Sequence, residues 1–240
     1  MRVADPLPNP SWSGLYRAGA WAAAVFVVLV LVPVALVVAA PVPPSSGAAV
    51  LAYIGAHRAV YLVELVCFVG LAVPALVVFA AAGVALMHID RSMAAVGALL
   101  GVVSETIALA LGSSPQSLHG GLVVLSDAYR AAATADDRAG LASAADALVA
   151  ATNAVSWAGI LTAAAILVLS LVMWRGAFPR WMAVIGVVAG AVGIVSEALR
   201  PVIGSAYMLY GLLLPLWFAL VGWWLRRAFH QQVSAPRPRT

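Results

Sequence analysis

The sequence is poor in charged residues. Only 9% of its 240 residues are charged, whereas 64% are apolar, and its mean hydropathy is +1.04. About 25% of the residues of a soluble globular domain are charged, so this composition excludes that class. The sequence predicts an integral membrane protein whose main partner is the lipid bilayer.

Lysine is absent and cysteine is nearly so. All 13 basic residues are arginine, which together with the abundance of Ala, Val and Gly is typical of a GC-rich bacterial genome. The single cysteine, Cys67, excludes an intrachain disulfide and is interpreted as a small packing residue in an apolar run. The arginines stand at the ends of apolar segments, so the net charge of +4 indicates membrane topology and no nucleic-acid partner.

The motifs of soluble enzymes are missing as well. The sequence contains no P-loop, GxSxG elbow, HExxH motif or dinucleotide-binding fingerprint. Its histidines lie at or beyond the ends of the apolar runs and form no pair with ligand spacing: His57, His88, His119 and His230. We therefore predict no haem, no metal and no other cofactor. A metal held by His57 and the glutamates described below is the weaker alternative.

Long apolar runs dominate what is present. A helix needs roughly 20 apolar residues to cross a bilayer, and six stretches reach that length. They cover about 15–40, 57–87, 92–112, 150–174, 181–203 and 206–226. The predicted fold is all-α, a polytopic membrane helix bundle that forms a single membrane domain over 1–230.

The segment 113–149 is too polar to cross the membrane. Its apolar residues recur at helical spacing, and Asp136 and Asp137 suit the first turn of a helix. We predict a helical hairpin outside the bilayer whose second arm runs into the fourth span. The last segment, 231–240, is predicted to be a disordered cytoplasmic tail.

The arginines predict the orientation. With both termini in the cytoplasm, nine arginines lie inside and four outside. The outer ones are Arg58, Arg130, Arg138 and Arg200. This asymmetry predicts a bacterial plasma-membrane protein with both termini cytoplasmic.

One pattern occurs twice. "RSMAAVGALLGVVSE", from Arg91, resembles "RWMAVIGVVAGAVGIVSE", from Arg180, and both end in a Ser-Glu pair. The two spans cross in the same direction, so this is a parallel repeat. Common origin and convergence both explain it. The spaced glycines allow close helix approach within a monomer or between two copies, so the oligomeric state stays open.

Three glutamates lie within the apolar runs at similar depth. Glu64, Glu105 and Glu197 each stand seven residues from the outer end of a span. At about 1.5 Å per residue, all three are expected on the order of 10 Å below the outer boundary. A carboxyl in a membrane usually faces a bundle interior or a wet cavity. We predict one polar layer, in which Arg200 pairs with Glu197.

Other polar residues reach the same layer. His57, Tyr61 and Glu64 share one helix face, and the fourth and sixth spans add further side chains. The predicted ligand-binding set is His57, Tyr61, Glu64, Glu105, Asn153, Glu197, Arg200 and Tyr207. Ser156, Trp157 and Tyr210 lie nearby, and the hairpin that carries His119 is expected to roof the pocket. The alternatives are that the aromatic residues form an interfacial belt and that neutral glutamates only join helices.

Several motifs together carry a resemblance. "LYRAGAW", "HRAVYLVELVCFV", the Ala-rich acidic hairpin, "GAFPRWMAVIGVVAG" and "PLWFALVGWWLRR" are similar to a large domain-of-unknown-function family of bacterial membrane proteins with six or seven spans. This resemblance implies the architecture and supplies no catalytic residue. A second resemblance, to small integral-membrane terpene cyclases, implies an enzyme in which Glu64 or Glu197 protonates the substrate.

These features lead to one functional prediction with two alternatives. We predict an outward-facing, Glu-lined pocket that binds or transports a small lipophilic or cationic molecule. The first alternative is a membrane-embedded enzyme that uses Glu64, Glu105 or Glu197 as a Brønsted acid. The second is a scaffold or sensor without catalysis.

Overall fold

Long apolar helices make up most of the chain. The computed structural model describes residues 9–36, 40–114, 118–155, 158–176, 178–203 and 206–234. In this part of the chain six helical stretches are long and apolar enough to cross a membrane: Pro10–Leu36, Arg58–Leu86, Arg91–Leu111, Ala135–Arg175 apart from residues 156 and 157, Arg180–Ala198 and Tyr207–His230. The predicted all-α, polytopic fold is confirmed, and the chain is a multi-pass membrane protein.

The secondary structure begins with a 3-10 turn, Pro10–Trp12. The helices that follow are α1 (Ser13–Leu36), α2 (Gly47–Ala56), α3 (Arg58–Gly70), α4 (Ala72–Leu86), α5 (Arg91–Leu111), α6 (Gly120–Ala131), α7 (Ala135–Val155), α8 (Gly159–Arg175), α9 (Arg180–Ala198), α10 (Arg200–Ile203) and α11 (Tyr207–Ser234). Two short strands, β1 (Ser113–Ser114) and β2 (Leu118–His119), pair antiparallel between α5 and α6.

Prolines interrupt two of the predicted spans. Helices α3 and α4 follow each other end to end with Leu71 between them, because Pro74 in the first turn of α4 has no N–H to donate. The fifth span was predicted to reach 203, but α9 ends at Ala198 and α10 begins two residues later. Residue 201 is a proline, so the same missing donor explains this break.

Two predictions around the polar segments need correction. The region 113–149 is not wholly helical, since β1 and β2 precede α6 and Gly112 turns the chain with a φ of 54°. The disordered tail was predicted from 231, whereas α11 continues to Ser234, because no proline occurs between residues 231 and 235. Residues 235–240 lie outside the described residues.

The helical hairpin itself is confirmed. Helices α6 and α7 form its two arms, and Asp136 and Asp137 lie in the first turn of α7 as predicted. Thr134 caps this helix, because its Oγ1 accepts a bond of 3.1 Å from the backbone N–H of Asp137. The junction between α7 and α8 includes residues 156 and 157, which lie outside the described residues, so the unbroken run into the fourth span stays a prediction.

Contacts within the chain define two compact units. Unit 1 comprises Met1–Val27, Val73–Glu105 and Gly159–Thr240, and unit 2 comprises Val28–Ala72 and Thr106–Ala158. The single membrane domain predicted over 1–230 stays a prediction.

Glycines bring the helices of unit 1 close together. A Cβ added to Gly97 of α5 would lie 2.8 Å from the side chain of Leu169, and one added to Gly190 of α9 would lie 2.6 Å from the backbone nitrogen of Leu167. Both neighbours belong to α8, so α5 and α9 pack against the same helix. The packing role predicted for the glycines is confirmed.

The core of unit 2 surrounds α2, a helix that the sequence did not predict. At ten residues α2 is too short to span a bilayer, and it packs against α6 and α7. Its first N–H, that of Gly47, donates to the carboxylate of Asp146 in α7, and the hydroxyl of Ser126 donates to the carbonyl of Leu51 at 2.8 Å. The core comprises Ala40, Val50, Leu51, Tyr53, Ile54, Tyr61, Leu118, Leu122, Ala145 and Val149.

Candidate functional site

The Ser-Glu pair of α5 meets a threonine of α8. The hydroxyl of Thr162 donates to Oε1 of Glu105 at 2.9 Å. The hydroxyl of Ser104 lies 2.7 Å from that of Thr162 and, since the threonine proton is used on the carboxyl, Ser104 is the donor in this arrangement. All three side chains are buried. Glu105 is therefore held by hydroxyl groups.

The matching Ser-Glu pair of α9 has a cationic partner. Arg200 lies 2.7 Å from Oε2 of Glu197, which confirms the predicted ion pair. The hydroxyl of Tyr207 donates to Oε1 of Glu197 at 2.8 Å and accepts a hydrogen bond from Arg200. The guanidinium also lies over the Tyr207 ring, 4.5 Å from its centroid. Glu197 is thus anchored to α10 and α11.

The first turn of α8 brings the two carboxyls to one region of unit 1. Glu105 bonds to Thr162, and a Cβ added to Gly159, three residues earlier, would lie 2.7 Å from the carboxyl carbon of Glu197. The absence of a side chain at Gly159 makes room for this carboxyl. Tyr210 of α11 is buried and lies within electrostatic reach of both glutamates.

We call this group the carboxyl cluster. Its members are buried or nearly buried in unit 1, and they are the two glutamates, the residues that contact or interact electrostatically with them, and Ser104, which bonds to Thr162. They are Ser104, Glu105, Gly159, Thr162, Glu197, Arg200, Tyr207 and Tyr210.

The charges of the carboxyl cluster do not balance when both carboxyls are ionised. Arg200 is the one cation that interacts with either glutamate among the described residues, and it is paired with Glu197. Its Nε and Nη1 atoms are buried and have no hydrogen-bond partner in this part of the chain. A buried carboxylate without a cation is costly, so Glu105 must keep its proton or take up a positive group.

Glu64, the third predicted glutamate, belongs to unit 2. It is buried on α3 together with Tyr61, as predicted for these two residues, whereas His57, the third residue predicted for this face, precedes α3 and is half-buried. The single layer of Glu64 with Glu105 and Glu197 stays a prediction.

The remaining predicted residues lie in unit 2 as well, apart from Tyr207 and Arg200. The hydroxyl of Tyr61 bonds to the backbone of His119, accepting from its N–H at 3.0 Å. The ring of His119 caps α6 by accepting from the N–H of Gly121, and the half-buried ring of His57 packs on Tyr53. Asn153 is exposed on α7. The roof formed by the hairpin stays a prediction, and Ser156 and Trp157 lie outside the described residues.

Sequence reasoning missed the partner of Glu105. Thr162 was not singled out, because a helical threonine in an apolar run often bonds only to its own backbone. A usable signal existed, since Thr162 is the one hydroxyl residue in the otherwise apolar stretch from Gly159 to Val168.

No metal site can be built from the residues that the structure describes. They contain no group of three or more His, Cys, Asp or Glu side chains that could hold an ion. The carboxyl cluster suits hydrogen-bonding or singly charged partners better than a transition metal, which needs several such ligands.

The fold and the cluster define a multi-pass helical membrane protein whose long apolar helices carry buried carboxyls. The chain belongs to the family described as Domain of unknown function (DUF4386), whose model matches residues 13–227. The resemblance to a domain-of-unknown-function family is thereby confirmed, while the resemblance to terpene cyclases stays a prediction. Comparisons with curated proteins and with solved structures gave no match.

Proposed function

We propose that the protein binds a small lipophilic cation at the carboxyl cluster and exchanges it for a proton. The observation that carries this proposal is the unequal pairing of two neighbouring carboxyls. Glu197 has Arg200 as its counter-charge, whereas Glu105 accepts a hydrogen bond from Thr162 and has no cation beside it among the described residues. A bound cation or a proton would supply the charge that Glu105 lacks.

The surroundings favour a lipophilic cation over a hydrated one. The rings of Tyr207 and Tyr210 meet edge to face with centroids 6.0 Å apart, and aromatic faces attract cations. The neighbouring residues of α8, such as Ala163 and Ile166, are apolar and fully buried. An apolar cation would lose little hydration on entering such surroundings.

The orientation that accompanies this proposal follows from the arginines. Placing both termini in the cytoplasm of a bacterial cell puts the Glu197 end of α9 and the Thr162 end of α8 toward the outside. The cytoplasmic ends would then include Arg91, Arg175 and Arg180, in agreement with the positive-inside rule. The carboxyl cluster would be reached from the outer face and would serve binding or uptake.

Equilibrium binding of two matched ions tests the proposal. Tetraphenylphosphonium and tetraphenylborate have nearly the same size and shape but opposite charge. We expect the purified full-length protein in detergent to bind the cation saturably and not the anion. Glu105→Gln should weaken cation binding by more than about tenfold, because it removes one charge of a buried pair. Asp136→Asn, at an exposed acid of α7, is the matched control and should bind like the unaltered protein.

Two results would argue for the alternatives. Equal binding of both ions would mean that the probes only partition into apolar surface, and full binding by Glu105→Gln would leave a purely structural role for the cluster. The enzyme alternative is weakened at one of its candidate acids, since a carboxylate paired with Arg200 is a poor proton donor.

A further inference from the structure

Unit 2 contains two buried polar atoms without hydrogen-bond partners. Among the described residues five buried side-chain atoms lack a partner, and three of them belong to the Glu197–Arg200 pair of unit 1. The other two are the hydroxyl of Tyr53 and Oε2 of Glu64. Native proteins rarely leave such atoms unpaired, so each requires an explanation. These two atoms point to a bound group that satisfies both.

Tyr53 and Glu64 lie on either side of the corner between α2 and α3. Tyr53 precedes this corner by about one helical turn and Glu64 follows it by about two, with His57 at the corner itself. Tyr53 is 8% exposed and Glu64 is 5% exposed, so both side chains are buried, and Tyr53 belongs to the core of unit 2. Each lies within electrostatic reach of the other, yet they form no hydrogen bond together.

The side chains next to Tyr53 and Glu64 determine which chemical groups this region offers to a ligand. Tyr61, one turn before Glu64, uses its hydroxyl on the backbone of His119. The ring of His57 packs on Tyr53 with centroids 5.0 Å apart. Burial raises the pKa of Tyr53 above its usual value, and the charge of Glu64 raises it further. The hydroxyl of Tyr53 therefore stays protonated at neutral pH. The pair therefore offers one carboxylate and one phenol oxygen, bordered by aromatic rings.

We infer that unit 2 binds an ammonium group between the Tyr53 hydroxyl and the Glu64 carboxylate, which are different side chains from those of the carboxyl cluster. An ammonium group has several N–H donors on one charged centre, which suits two oxygen acceptors and an aromatic border. A metal ion needs more ligands than this pair provides, and the described residues contain no cluster that supplies them. The ligand class is a primary ammonium compound, such as a small amine in its charged form.

Methylammonium chloride is the probe for this site. We expect it to raise the thermal unfolding temperature of the full-length protein in detergent, because a ligand that binds only the folded state stabilises it. Tyr53→Phe, which removes one oxygen and keeps the ring, should weaken the apparent affinity by about tenfold. Glu64→Gln should abolish the response. Tyr129→Phe, at a half-buried tyrosine of α6 in the same unit, should respond like the unaltered protein.

Three outcomes would overturn the inference. These are the absence of a response in the unaltered protein, an undiminished response in Tyr53→Phe, and an equal response to sodium chloride. If Glu64→Gln does not fold, Tyr53→Phe and Tyr129→Phe still decide the question. The two sites can be separated, because Glu105→Gln should lose tetraphenylphosphonium binding and keep the methylammonium response.

Discussion

At the scale of single residues, the two glutamates of unit 1 differ in what neutralises them. Glu197 lies between Arg200 and the hydroxyl of Tyr207, whereas Glu105 accepts a hydrogen bond from Thr162. Neutralising Glu197 and neutralising Glu105 should therefore change the free energy of unfolding by unequal amounts, although both glutamates follow a serine in similar helices.

Stability measurements on two isosteric variants test this difference. Glu197→Gln leaves the largely buried Arg200, whose side chain is 14% exposed, without a counter-charge and should lower the free energy of unfolding by about 3 kcal/mol. Glu105→Gln keeps the acceptor oxygen for Thr162 and should cost less than about 1 kcal/mol. Equilibrium unfolding in detergent gives both values. Similar losses in the two variants would contradict the assignment of the guanidinium to Glu197.

The ion pair of Arg58 and Asp127 gives a prediction for pH. A hydrogen bond of 3.0 Å from Arg58, and then its charge, hold the pKa of Asp127 below its usual value. The pair therefore contributes stability above the ordinary aspartate pKa of about 4, and this contribution is lost as pH falls through the lowered value. Both side chains are partly exposed, so the effect should be small. Asp127→Asn should lower the unfolding temperature at neutral pH and not in strong acid; an equal loss at both would refute the pairing.

At the scale of helices, close packing against α8 depends on glycines of the repeated pattern. Gly190→Ala places a Cβ 2.6 Å from the backbone nitrogen of Leu167, which cannot move without shifting α8. We expect a loss of about 1–3 kcal/mol, as for overpacked cores. Gly140→Ala in α7 meets nothing within 4 Å and should be neutral or slightly stabilising. Thermal unfolding of both variants checks this, and an undisturbed Gly190→Ala would contradict the close approach.

Much of the helical organisation follows from the sequence, because apolar runs of membrane length have few other structures open to them. Helix α2 could not be predicted in this way, since its ten residues are too few to span and its burial depends on α6 and α7. The break at Leu199 was missed although Pro201 marks it, because the apolar run continues past the proline.

The candidate site likewise contains local pairs that the sequence predicts and long-range contacts that it does not predict. The pairing of Arg200 with Glu197 could be predicted, since residues three apart on a helix are neighbours. The bond between Thr162 and Glu105 joins residues 57 positions apart and depends on how α5 packs on α8, which no local pattern contains. The unpartnered hydroxyl of Tyr53 is likewise a property of the folded unit.

At the scale of the whole molecule, the proposed orientation can be tested with the single cysteine removed. In a Cys67→Ala background, Asp136→Cys on α7 should react with a membrane-impermeant maleimide in intact cells. Ser92→Cys, at the exposed start of α5, should react only after the cell membrane has been permeabilised. The reverse pattern would place the termini outside and would contradict the distribution of arginines.

The central claim is that Glu105 exchanges a proton for a cation. Proton release on addition of tetraphenylphosphonium, recorded in weakly buffered solution at mildly acidic pH, tests it most directly. We predict about one proton released for each cation bound, as expected for a single linked carboxyl, and no release from Glu105→Gln. Binding without proton release, or equal release from Glu105→Gln, would contradict the account.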